Sequence, residues 1–81
     1  MTIELKPVKI DTGSPDEEGR LAFAGDRLVA VLVLLSDEHA EAGKWFLEAG
    51  FGKLNVRPEP VFRDLAEASR WIEAQLKRAL F

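Results

Sequence analysis

Apolar residues in this chain gather into a few patterned stretches, set apart by segments rich in glycine, proline and charge. The densest is Leu28 to Leu35, LVAVLVLL, eight apolar residues between Asp26-Arg27 and Ser36-Asp37. A membrane-spanning helix takes ~20 apolar residues, so this run is too short to cross a bilayer. It reads instead as a strand that is apolar on both sides of its pleat. Such a strand needs a cover on each face, and 81 residues leave little material for two.

The flanking segments supply partners for that strand. Leu21-Ala22-Phe23-Ala24 precedes Gly25-Asp26-Arg27, and the pair of runs predicts a hairpin whose glycine takes the positive φ of a tight turn. Ile3-Glu4-Leu5-Lys6 alternates apolar and polar like a half-buried strand. Pro7 then removes a ladder donor and the apolar phase moves to Val8 and Ile10, which predicts an edge strand with a bulge or break at the proline. Asp11 to Gly19, DTGSPDEEG, reads as loop.

Ser36 to Gly52 supports two patterns. In the first, a loop leads to a strand over Lys44 to Phe51. Trp45, Leu47, Ala49 and Phe51 then face the core, with Lys44, Phe46 and Glu48 on the other side. In the alternative, Ser36 caps a helix over about residues 37–49, with Ala42, Trp45, Phe46 and Ala49 at helical spacing. Gly43 inside that helix and Leu47 off its stripe favour the strand. Near the end, Leu65, Ala68, Ile72, Leu76 and Ala79 recur at the helical period, with Asp64 placed to cap and Glu67 three residues on. A helix from about Asp64 to about Leu80 follows.

These elements predict one α+β domain over residues 1–81, a small antiparallel β-meander of three to four strands with one C-terminal amphipathic helix on one face. A single helix covers one face of a sheet and leaves the other. That second face is the reason to expect a homodimer or another protein partner, with Val29, Val31, Val33, Phe46 and Trp71 as contact residues. Trp71 lies roughly 120° around the helix from Leu65, at the border of the apolar stripe.

Composition narrows the function classes. Apolar residues at 47% with 31% charged residues belong to a folded rather than a disordered chain. Cysteine is absent, which removes disulfides and thiolate chemistry. The start, MTIELK, lacks the basic-then-apolar build of a secretion signal, so a cytoplasmic location without a membrane partner is expected. The net charge of −3 divides unevenly: residues 1–41 hold nine acids and four bases, residues 42–81 five acids and seven bases. An acidic total argues against nucleic acid as a partner. Arg57, Arg63, Arg70, Lys77 and Arg78 alternate with Glu59, Asp64, Glu67 and Glu73, as on a solvated surface.

Candidate chemistry is sparse. His39, the only histidine, sits in Asp37-Glu38-His39-Ala40-Glu41, with no second histidine or cysteine to complete a metal site, so no metal and no cofactor are expected. Ser36, Asp37 and His39 are the residue types of a triad, but adjacency in sequence does not build one. Gly50-Phe51-Gly52-Lys53 fails as a phosphate loop, because Leu47 and Leu54 stand where glycine and a hydroxyl residue are needed. The expected role is a noncatalytic homo-oligomerising or protein-interaction module. The alternative is a small-ligand-binding domain, catalytic or not, with a cleft between helix and sheet near His39, Trp45 and Glu48.

Overall fold

The computed structural model describes residues 2–36 and 40–78. Five antiparallel strands follow one another in chain order across a single sheet: β1 (Ile3–Lys9), β2 (Glu18–Ala24), β3 (Arg27–Leu34), β4 (Trp45–Gly50) and β5 (Val61–Phe62). A 3-10 turn (Gly52–Leu54) links β4 to β5, and helix α1 (Leu65–Lys77) closes the chain of elements. The fold is α+β, as the pattern of apolar positions predicts, with one strand more than the three to four expected. The extra one is the two-residue β5, too short to show a period.

Each element has a local cause. The β2–β3 turn places Gly25 at φ 66 between the paired Ala24 and Arg27, and among the described residues no non-glycine residue has positive φ. That combination suits a type II′ turn, whose twist matches the flanking strands. In α1 the Asp64 carboxylate accepts from the Glu67 backbone N–H at 2.8 Å. The Glu67 carboxylate does not return the bond but holds Arg63 Nε at 2.7 Å. Ala68 and Ile72 of the helical stripe are fully buried, while Leu65 and Leu76 pack at its ends. Ala79 lies outside the described residues.

Three expectations are corrected. Pro7 causes no break: β1 pairs with β2 without interruption from Ile3 to Lys9. The strand is at the sheet edge, where a missing N–H costs no ladder bond. The shift of apolar phase therefore means something else. Ile3 and Leu5 pack into the helix-side core, and Val8 and Ile10 lie on the opposite face. The alternative helix over about 37–49 gives way to β4, in which buried Trp45 and Leu47 alternate with Phe46. Finally, Ala49 and Phe51 are not on the core side. A bulge opposite Val31 inserts Glu48 and turns Ala49 to the far face, and Phe51 is 48% exposed.

The core lies between sheet and helix. Ala22, Ala30, Leu32, Trp45, Leu47 and Phe62 from the sheet meet Leu54, Ala68 and Ile72. Full burial of each Leu or Ile contributes ~1.5–3 kcal/mol. The backbone of Leu54 presses so closely on Gly50 that a β-carbon there would overlap it. That contact, rather than phosphate binding, accounts for glycine at position 50.

Candidate functional site

Cross-strand partners point to the same side of a sheet, so the register sorts every strand residue onto one face. The face away from α1 carries Glu4, Phe23 and Leu28 in one row. Lys6, Leu21, Val31 and Ala49 make the next, and Val8, Gly19, Val33, Phe46 and Val61 the third. Apart from Glu4 and Lys6 on the β1 edge, these three rows are wholly apolar.

The chain itself covers one end of it. Beyond β1 the strand pairing continues to a bond from Ile10 N–H to Glu17 O at 2.8 Å, and Ile10 packs over Gly19. Residues 11–16 then form a loop held by its own polar groups. Ser14 N–H donates to Thr12 Oγ1 at 3.3 Å, Asp16 N–H donates to Ser14 Oγ at 3.1 Å, and Thr12 Oγ1 donates to Asp16 O at 2.8 Å. Asp16 is 6% exposed, and its Oδ1 accepts from Ser36 N–H at 2.8 Å, which ties the loop to the end of β3. Val33 is consequently 2% exposed.

Two features remain open. Between the loop and β4 runs a cleft of about 380 Å³, floored by Val33, Leu35 and Phe46 and edged by Thr12, Ser14, Asp16 and Glu48. Nearer the β2–β3 turn, the loop ends and an apolar panel begins. Leu21, Phe23, Val31 and Ala49 are half-buried and Leu28 is 38% exposed, and half-buried Phe46 and Val61, also 38% exposed, extend the panel along β4 and β5 in the row of Val33. The Lys6 ammonium sits 5.1 Å from the Phe23 ring centroid, a cation–π contact at the β1 rim. Glu48, delivered by the bulge, is the charge at the β4 rim.

The contact residues expected from sequence divide between the faces. Val31 and Phe46 are on the panel. Val33 shares their face but is sealed, Val29 packs against the helix-side core, and Trp71 lies tilted against Phe62 with ring centroids 5.5 Å apart. The residues expected to line a helix–sheet cleft are not brought together. Trp45 is buried on the helix side beside Phe62, with the Arg20 guanidinium 5.0 Å from its ring. Glu48 is on the far face, and His39 lies outside the described residues.

Several residues escaped sequence reasoning. Leu21 and Phe23 could have been found, because they alternate with Ala22 and Ala24 and must face away from them. Asp16 carried no signal in its acidic loop. Among the described residues no buried side-chain nitrogen or oxygen lacks a partner, and no three His, Asp or Glu side chains gather to hold an ion. The Arg63 guanidinium is pushed above its ordinary value, chiefly by its hydrogen bond to Glu67 and then by the charges of Glu67 and Asp64. Arg63 is on the exposed helix approach and not on the far face. Among the described residues no helix is long and apolar enough to cross a membrane. No family model, no curated protein and no solved structure matches the chain.

Proposed function

We propose that this chain is a noncatalytic interaction module whose partner is a second copy docked on the far face of the sheet. The supporting observation is the panel of Leu21, Phe23, Leu28, Val31 and Phe46, which neither α1 nor the loop over residues 11–16 covers. Apolar patches of this kind, rimmed by charge, mark contact sites on soluble domains. Because the loop over residues 11–16 occupies one end of that face, the association is weak and dependent on concentration, with a dissociation constant in the micromolar range or above.

Sedimentation equilibrium from about 1 μM to about 1 mM tests this directly. The intact chain approaches the dimer mass as concentration rises, and Val31→Glu stays at the mass of one chain with its fold retained. A single-chain mass for the intact protein throughout that range overturns the reading.

The cleft beside Phe46 and Glu48 favours a second reading, small-ligand binding on the same face rather than between helix and sheet. Its volume and apolar floor suit a small molecule. A thermal-shift screen checks it: a genuine ligand raises the melting temperature of the intact chain and loses that effect in Glu48→Ala and Phe46→Ala. Silence across the screen ends this second reading.

A further inference from the structure

We infer that Pro7 keeps the outer edge of β1 from pairing with a second copy of this chain. The sheet has two rims, and the chain closes one of them. Beyond β4 it returns as β5, with Leu47 N–H donating to Pro60 O at 3.1 Å, and the two residues of β5 are too few to template another strand. β1 has a neighbouring strand on one side alone, and among the described residues no backbone bond reaches its other side. One bond fixes the direction of its backbone groups. Ile10 N–H donates to Glu17 O, and this pair continues the unshifted register of β1 with β2. Antiparallel pairs alternate between those that exchange hydrogen bonds and those that do not. Glu4, Lys6 and Val8 therefore bond to β2, while Ile3, Leu5, Pro7 and Lys9 turn their backbone groups outward.

That outward row is what an added strand binds. A free sheet edge takes up another strand through main-chain bonds, and an identical strand related by a two-fold axis joins it antiparallel. β1 is otherwise open to this. Its pairing with β2 carries no bulge, unlike the pairings of β2 with β3 and of β3 with β4. No bulge twists the edge away, so the interruption left is the proline. Pro7 is exposed, offers no N–H, and puts its ring where the carbonyl of an incoming strand would approach. Two-fold registers centred on Leu5, Lys6, Pro7 or Val8 all set that ring against a carbonyl of the other copy, once from each chain. Centring on Glu4 escapes the ring, but it joins only Ile3 with Leu5 and brings Glu4 against its own counterpart.

Restoring the donor tests the role of Pro7. Pro7→Val and Pro7→Ala are made in the full chain, with and without Val31→Glu, and followed by sedimentation equilibrium, with melting curves to confirm folding. Each copy regains one bond, so both variants reach the dimer mass at concentrations about tenfold lower than the same chain with Pro7. Val31→Glu does not abolish this gain, which separates pairing at the edge from docking on the far face. Hydrogen exchange locates the contact. In the unaltered chain the amides of Glu4, Lys6 and Val8 are protected and those of Ile3, Leu5 and Lys9 exchange freely; association of the variants protects the second set as well. Folded variants whose mass curves match those of the chain with Pro7, or whose association leaves Ile3, Leu5 and Lys9 unprotected, overturn the inference. Protection of those three amides in the unaltered chain overturns it too, because the edge would already be taken. A chain that stays single on its far face gives the same comparison, so failure of the far-face reading leaves this one standing.

Discussion

The two faces of this sheet are built from the same strands and the same residue types, yet they are closed in different ways. On the helix side, Leu32 and Leu47 are sealed by a regular element that brings its own apolar stripe, with Ala68 and Ile72 at its centre. On the far side, Val33 is sealed by the turning of β1 into a polar loop, and the cover stops there. A helix buries a face by matching apolar surface to apolar surface. The loop brings one apolar residue, Ile10, and is held by hydrogen bonds and the buried Asp16 carboxylate. The first closure extends as far as the stripe does. The second extends only as far as its anchor.

Substitutions should separate the two. Leu32→Ala, in the helix-side core, is expected to cost about 2–5 kcal/mol, read as a lower denaturant midpoint at unchanged slope. Gly50→Ala forces a β-carbon into the Leu54 backbone on that same side and should cost about 1–3 kcal/mol. Asp16→Ala strips the acceptor from Ser36 N–H and should lower stability by about 1–3 kcal/mol. Hydrogen exchange should place its loosening at residues 10–17 and leave α1 protected. If α1 exchanged equally, the two closures would be one cooperative unit. Asp64→Ala removes only the helix cap, for about 1 kcal/mol by thermal denaturation. Leu28→Ser on the open panel should shift folding by no more than about 0.5 kcal/mol. A larger loss would mean that the panel is already buried in the folded chain.

How much of this was legible follows the same division. α1 announced itself through Leu65, Ala68, Ile72 and Leu76, because a helix writes its buried face at a fixed spacing. The β2–β3 hairpin was legible from Gly25 and the runs beside it. What escaped depended on pairs of segments. The change of phase after Leu5 looked like damage done by Pro7, although it records one strand serving two faces. The bulge at Glu48 could not be read from β4 alone, since a bulge is a property of register with β3. The contact residues were half right for the same reason. Val31 and Phe46 are on the open panel, whereas Val33 is hidden by a loop whose sequence shows no reason to fold back.

The strict neighbour-to-neighbour order of the five strands also sets how this chain reaches its native state. No strand waits for a distant partner, since each pairs with the one just before it, and the sheet grows by successive hairpins. Local pairing of this kind shortens the search and favours rapid folding. The helix comes after every strand in chain order, so Leu32 and Leu47 stay open to water until α1 docks. For that interval the helix side lies open together with the uncovered part of the far face, and the chain exposes more apolar surface than the finished protein.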